Sequence, residues 1–356
     1  MEVLVLTPYL YGTTPGPRSS IELWDHILRP ADINFHYAPF ENAALRRCIY
    51  QQGRSPAKID QLTRAYVRRL RRMRSLHDYD AVLVYREAAL IGPEIFERWV
   101  HRAKIPMIYQ LDDPLYVPYR SPFNGYFSYL KCFSKVGRIA RIAKLTIVNS
   151  RQHREYVARF TDRIKEIPIL VDGDAYQVPR RQPCDRVTIG WSGSPSTARN
   201  LSLIAAPLAQ MSRRGDVAIR LIGGTRYDLP GVAFIDVPWA PETEVRELQQ
   251  LDVGLLPVPV TPWNKRKFFM KLVQYMAVGA VSVCTPIGAN PEVIDHGANG
   301  ILAASELEWR AALERLGTDA AWRAQLSVAA ARTAHEHYTV QARAAEIVDA
   351  FDAALR

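Results

Sequence analysis

Lys265, Arg266 and Lys267 stand together in one polar turn, and Lys271 and Gln274 follow at helical spacing. The turn lies between two apolar runs, Val253 to Leu256 and Val281 to Cys284, which reads as strand, loop, helix, strand. Cations at the carboxyl end of a strand, beside a helix N-terminus with its free N–H groups, suit an anionic ligand, most simply a diphosphate. The competing reading is a solvated turn. Lys267 and Lys271 are four apart, which on a helix points both at one site, and two like charges there call for an anion between them. A second candidate precedes this one: Ile189 to Thr197 reads I-G-W-S-G-S-P-S-T, ahead of Leu201, Ile204, Leu208 and Met211 at helical spacing. Ser192, Gly193, Ser194, Ser196 and Thr197 can ring a phosphate with hydroxyls and N–H groups, whereas a plain helix cap explains one hydroxyl. In the first half, Asp112 and Asp113 end the run Pro106 to Leu111 on the ligand edge of a strand; alternatively, one of them caps the turn before Pro114.

The elements that must position these residues alternate in type. Val3 to Leu6, Ile33 to Tyr37, Ala81 to Tyr85, Pro106 to Leu111, Leu145 to Asn149 and Glu166 to Leu170 read as strands of a first half. Val187 to Trp191, Val217 to Ile222, Val253 to Leu256 and Val281 to Cys284 read as strands of a second, with helical patterns between them. After the first strand, T-P-Y-L-Y-G-T-T-P-G-P-R-S-S is expected to open no helix before about Ser19, with Ser19 or Ser20 as N-cap. Leu62, Tyr66, Leu70, Met73 and Leu76 form an apolar stripe, with Arg64, Arg68, Arg69, Arg71, Arg72 and Arg74 on the other faces. The preferred reading is a stripe packed on the sheet with solvated arginines; the other is contact with anionic lipid.

Tyr116 to Lys144 mixes Tyr119, Phe123, Tyr126, Phe127, Tyr129 and Phe133 with cations, and is taken as a helix with an aromatic core face. The proline-bearing stretch V-D-G-D-A-Y-Q-V-P-R-R-Q-P-C-D-R joins two apolar-patterned halves as a linker. Its Asp172-Gly173-Asp174 spells a metal-binding D-x-D, here expected to be a turn. Glu306 to Leu316, Ala320 to His335 and Thr339 to Leu355 are alanine-rich and helical in period, with His335 and His337 expected at the surface.

A chain of 356 residues allows two domains, each with its own core. No apolar run reaches bilayer length, and MEVLVLTPYL lacks a basic leader, so a cytoplasmic protein is expected. The four cysteines, Cys48, Cys132, Cys184 and Cys284, are far apart and form no zinc or disulfide pattern. The net charge of +10 suits nucleic acid, an anionic membrane surface or phosphorylated small molecules, and nucleic acid ranks third because no nucleic-acid-binding signature accompanies it.

D-V-G-L-L-P, K-x3-K-x2-Q-Y-M-A-x-G, T-P-I-G-x-N-P-E-V-I and N-G follow in order from Asp252, with I-G-W-S-G-S-P-S-T upstream and Q-L-D-D-P at Gln110 to Pro114. In this order the blocks resemble the retaining glycosyltransferases of family 4, which have the GT-B fold. The resemblance implies two Rossmann-like doubly wound domains facing a central cleft: residues 1–171 for the acceptor, a linker 172–186, residues 187–338 for a nucleotide sugar, and a helix in 339–356 crossing back to the first domain. It implies retaining transfer of a sugar from a nucleotide diphosphate sugar to a hydroxyl of a glycan, glycolipid or small molecule, without a metal or other cofactor and without nucleic acid. A peripheral anionic membrane contact at the inner face remains a further expectation. The alternatives are a pseudo-glycosyltransferase or epimerase of the same fold, and a nucleotide-binding protein without transfer activity.

Residue by residue, the resemblance brings Gly12 and Gly16 to donor phosphates or acceptor and puts Arg199 nearest to a diphosphate cation, with Trp191 where another cation is common. Gly223 falls beneath the nucleotide and Trp239 near its base, either stacking on it or filling a rim. Many members carry E-x7-E; here Arg266 and Gln274 stand at the two glutamate positions. Gln274 can still bond a ribose hydroxyl, and N–H groups near Gly288 to Asn290 would serve the sugar. Lys267 and Lys271 would neutralise the leaving diphosphate, and Asp112 or Asp113 would meet the acceptor where many members have a histidine.

Overall fold

The computed structural model describes residues 1–355 except 52, 54, 120–123, 180–185 and 226, and only the backbone of 55, 126 and 127. The expectations for Phe123, Cys184 and the side chains of Tyr126 and Phe127 fall outside the described residues, as does part of the linker. Two compact units emerge: Met1–Ile169 with Arg266–Phe268 and Arg343–Arg356, and Leu170–Lys265 with Phe269–Ala342.

The first unit is built on a parallel sheet of β1 (Glu2–Thr7), β2 (Asn34–Pro39), β3 (Ala81–Tyr85), β4 (Met107–Leu111), β5 (Leu145–Val148) and β6 (Ile164–Glu166), in the order β2-β1-β3-β4-β5-β6. Val3 to Leu6 and Ala81 to Tyr85 are wholly buried, and such unbroken apolar runs are what a parallel sheet covered on both faces requires. The order reverses between β1 and β3. Loops leaving their carboxyl ends therefore diverge and open a crevice. Helix Ala344–Leu355 closes this unit: Phe351 lies 6.4 Å from Trp24 and 5.6 Å from Phe35 between ring centroids, and Glu346 pairs with Lys165 at 2.9 Å.

Several local expectations need correction. A short helix, Pro15–Arg18, precedes Ser19; proline fits the first helical position because that N–H has no partner to lose. Helix Ser55–Arg72 leaves Leu70 exposed and instead buries Ala65 and Arg69. Arg69 is no solvated cation. Its guanidinium donates to the carbonyls of Ala38 (2.7 Å) and Thr7 (3.1 Å), and burial lowers its pKa to about 9. The aromatic stretch is no single helix but a 3-10 segment, Gly125–Lys131, and a helix, Lys135–Ile142, joined through Cys132 at φ 54°. Tyr116 stacks on Tyr156, with centroids 3.6 Å apart. The last strand ends at Glu166 instead of beginning there.

The second unit repeats the plan with β7 (Val187–Ser192), β8 (Val217–Ile222), β9 (Phe234–Val237), β10 (Val253–Leu256), β11 (Val281–Cys284) and β12 (Ile301–Leu302), ordered β12-β11-β10-β7-β8-β9, all pairs parallel. Its reversal falls between β10 and β7. The helix expected through Leu201 and Met211 is divided into Pro195–Ala198, a 3-10 segment Arg199–Ile204, and Ala205–Ser212. Pro207 has no N–H to return to the preceding turn, and the break falls at Ile204. His335 is half-buried, its Nε2 3.0 Å from the Ala277 carbonyl, so it is not a surface residue. Asp172 and Asp174 form a turn in which the Asp174 N–H donates to Asp172 Oδ1 at 3.0 Å and Gln341 Nε2 donates to both carboxylates. Among the described residues no helix is long and apolar enough to cross a membrane, and no group of three or more His, Cys, Asp or Glu could hold a metal ion.

Candidate functional site

In the second unit, candidate residues gather at the reversal point because β7 and β10 carry their loops to the same edge. β7 ends in Ser192, whose N–H donates to the buried Tyr275 hydroxyl at 2.8 Å. The chain then passes Gly193, whose N–H bonds the Ile222 carbonyl at 2.9 Å. A Cβ on Gly193 would lie 2.2 Å from Lys271 Nζ and 2.5 Å from the Trp191 ring. The absence of a Cβ at this position leaves the room in which the ammonium lies close to the backbone. Lys271 projects from helix Met270–Ala277 and stands 4.4 Å from the Trp191 ring centroid, a cation–π contact.

The helix starts after Phe269, so Lys267 is not on it, and the expectation that Lys267 and Lys271 share a helical face is corrected. Beside Gly193 the hydroxyls of Ser194, Ser196 and Thr197 bond one another: Ser194 Oγ is 2.9 Å from Ser196 Oγ and 3.3 Å from Thr197 Oγ1. Ser194 is the N-cap of Pro195–Ala198, yet its side chain makes no capping bond. Arg199 is exposed one turn further on.

The nucleoside-side candidates form a second group in the same unit. Gly223 has φ 77°, and its Cβ would lie 2.4 Å from the Gly193 carbonyl oxygen and 3.0 Å from Trp239 Cβ. Its N–H bonds Val237 at 2.8 Å. Trp239 is partly exposed and donates its indole N–H to Glu244 Oε1 at 2.9 Å. Gln274 is buried, and its Nε2 donates to the Tyr176 hydroxyl at 2.7 Å, so that N–H is already spent within the protein. Gly288 has φ 61° in the turn before helix Asn290–Val293. Asn290 donates to the Thr285 carbonyl at 2.9 Å while its Oδ1 is buried without a partner.

In the first unit, a charge cluster fills the crevice between β1 and β3. Arg86 follows β3 at φ 61°, a left-handed backbone uncommon for arginine. Its guanidinium bonds both Asp112 oxygens, Asp113 Oδ2 at 2.7 Å and the Tyr9 hydroxyl at 3.1 Å. Asp112 also accepts from the Tyr85 hydroxyl at 2.5 Å, and Asp113 Oδ1 from Lys267 at 3.1 Å. Two cations thus meet two carboxylates, the balance that burial of charge demands.

Burial alone would raise the pKa of Asp113, but the charges of Arg86 and Lys267 hold it below the usual carboxylate range. The capping alternative for Asp113 is therefore corrected: its side chain serves an ion-pair network. Gly16 packs on this cluster, its Cβ position lying 2.7 Å from Arg86 Nη2 and 2.7 Å from the Tyr85 hydroxyl. The N–H of Gly12 already donates to the Glu22 carboxylate at 3.0 Å. Nearby His153 is wholly buried with Nδ1 2.8 Å from Asn149 Oδ1, and burial lowers its pKa to about 4. Arg266 is an exposed residue of the same unit.

Sequence reasoning missed Arg86, Tyr85, Tyr9, His153, Glu22, Tyr176 and Glu244. A signal existed for Arg86 alone: a cation directly after the apolar run Ala81 to Tyr85.

Two six-stranded parallel α/β units, each with a crevice at its reversal, match the GT-B fold of glycosyltransferases. Residues 186–319 match the family described as glycosyl transferases group 1, so this part of the chain is a glycosyltransferase domain. The chain is similar to Anabaena HepE in complex with UDP, at 18% identity and TM-score 0.72, covering 99% of this chain and 100% of that one. HepE in complex with UDP-glucose gives 19% identity and TM-score 0.71, with 99% of each chain covered. The sucrose-phosphate synthase of Thermosynechococcus elongatus gives 13% identity and TM-score 0.72, covering 99% and 98%. No curated protein sequence matches.

Proposed function

We propose that the protein transfers a sugar from a nucleoside diphosphate sugar to an acceptor hydroxyl with retention of configuration, as the resemblance to family 4 implies. The observation that carries this reading is the seating of the Lys271 ammonium against Gly193 at the reversal of the second sheet. Departure of a nucleoside diphosphate places negative charge on its phosphate oxygens, and a fixed cation stabilises that charge without reorganising during the reaction. Ser194, Thr197 and Arg199 lie on the adjoining N-cap, helix Pro195–Ala198 and 3-10 segment and supply further donors. Lys271 is the cation assigned to the diphosphate, because it lies beside Gly193 and Trp191 at the reversal of the second sheet. UDP is the preferred nucleotide, following the ligands of the HepE complexes.

The acceptor is assigned to the crevice of the first unit, where Arg86 organises Asp112 and Asp113. An anionic bilayer is a suitable surface for the exposed side of helix Ser55–Arg72, where Ile59, Val67 and Leu70 stand among arginines. A thermal-shift panel of UDP, GDP, ADP, CDP and dTDP tests the donor reading, since a ligand stabilises the fold that binds it. A shift with UDP supports it, and no shift with any of them sinks it. Arg266 at a position where many relatives have glutamate favours one other reading, a nucleotide-binding protein without turnover. Sugar transfer or donor hydrolysis in the purified protein eliminates that reading.

A further inference from the structure

From the geometry around Trp239 we infer that Glu244 is the carboxylate that reads the ribose of the bound nucleotide. The inference rests on the donor reading above and adds a residue to it. Gln274, at the position where a ribose-contacting glutamate is expected, is buried and turns its amide N–H onto the Tyr176 hydroxyl. That hydroxyl lies 3.5 Å from Glu244 Oε2, and Glu244 Oε1 accepts the Trp239 indole N–H at 2.9 Å. A chain of polar contacts therefore leads from the neutral amide at 274 to a carboxylate at 244.

A ribose diol is recognised best by an ionised acceptor, because each hydroxyl then donates to full negative charge. A carboxylate accepts along about four directions, so Glu244 can hold the Trp239 indole and a sugar hydroxyl together. Trp239 is partly exposed and its Cβ lies close to Gly223, whose Cβ position is 3.0 Å from it. A base stacked on that indole carries its sugar at the ring's edge, where the indole N–H meets Glu244. The same carboxylate thus sets the ring and takes the 2′ and 3′ hydroxyls.

Affinities of UDP and 2′-deoxy-UDP for the full chain, followed by tryptophan fluorescence with Trp239→Phe as the reference, test this assignment. The wild type is expected to prefer UDP about tenfold or more, in keeping with a hydrogen bond to a charged group. Glu244→Gln, which still accepts from the indole, is expected to keep the fluorescence response and bring the two affinities within about twofold. Glu244→Ala is expected to lose both. If Glu244→Gln weakens both nucleotides equally and leaves their ratio intact, the carboxylate only supports the ring and the inference is overturned. Equal affinity of the wild type for both nucleotides overturns it too. Absence of any UDP binding by the wild type instead removes the donor reading on which it stands.

Discussion

The Lys271 ammonium lies 2.2 Å from where a Cβ of Gly193 would stand and faces the Trp191 ring at 4.4 Å. Substituting Lys271 tests whether this seat serves a phosphate. Lys271→Ala is expected to lower UDP affinity by about tenfold or more, the scale of a charge-assisted contact, and Lys271→Arg to keep part of it. Lys267→Ala, which releases Asp113, is expected to change UDP affinity by less than about threefold. Isothermal titration at two salt concentrations decides, and equal losses in the two alanine variants would contradict the assignment.

The Arg86 cluster predicts an ordering of stabilities. Asp112 has both oxygens engaged by Arg86 and Tyr85, whereas Asp113 shares Arg86 and pairs with a half-exposed Lys267. Removing a partner from a buried pair costs about 3–5 kcal/mol because the remaining charge is stranded. Asp112→Ala keeps Arg86 paired with Asp113 and is expected below that range, at roughly 2–3 kcal/mol for the lost Arg86 and Tyr85 hydrogen bonds, and Lys267→Ala near about 1 kcal/mol, since its loss leaves Asp113 with Arg86. Denaturant unfolding of the full chain measures both, and a Lys267→Ala loss matching that of Asp112→Ala would refute the ordering.

Apolar runs made the central strands legible: Ala81–Tyr85, Val217–Ile222, Val253–Leu256 and Val281–Cys284 have the bounds their residues suggest. Burial on both faces imposes such runs, so composition alone marks them. The proximity of the hydroxyls of Ser194, Ser196 and Thr197 was legible because they are close together in the chain. Contacts were not legible where partners come from distant segments. Glu244 meets Trp239 and Tyr176 through folding, and nothing at position 244 distinguishes it from a solvated glutamate at a helix start. Leu70 and Arg69 exchanged roles because a one-residue step on a helix turns the side chain by about 100°, and carbonyls of Ala38 and Thr7 made a buried guanidinium tolerable.

Gly16 and Gly12 separate crowding from backbone strain. A Cβ on Gly16 meets the Arg86 guanidinium and Tyr85 hydroxyl at 2.7 Å, within a buried network that has little room to shift. Gly16→Ala is expected to cost about 1–3 kcal/mol of stability, as overpacking does. A Cβ on Gly12 meets nothing within 4 Å, but φ is 71°, which an alanine adopts at a cost of roughly 1–2 kcal/mol. Gly12→Asn, which tolerates that conformation, is expected to recover most of the Gly12→Ala loss, whereas Gly16→Asn is expected to be worse than Gly16→Ala. Thermal unfolding of the four variants checks this, and recovery at position 16 would show that crowding is not the constraint there.

Acid stability follows from His153. Its folded pKa of about 4 lies below the ordinary histidine value of 6.5, because burial disfavours the imidazolium. The unfolded chain therefore takes up a proton first as pH falls. Stability contributed by keeping His153 neutral is complete above about pH 6.5, declines between there and about pH 4, and changes no further below. The difference corresponds to roughly 3 kcal/mol. Asp113, with a depressed pKa, adds a loss that begins only near the ordinary carboxylate range. The substitution His153→Gln keeps a donor toward Asn149 Oδ1 and removes the titration. The variant is expected to be less stable than wild type at pH 7.5 yet to lose far less between pH 7 and pH 5. Urea unfolding across that window reads both slopes, and parallel curves for the two proteins would show that His153 is not the titrating group.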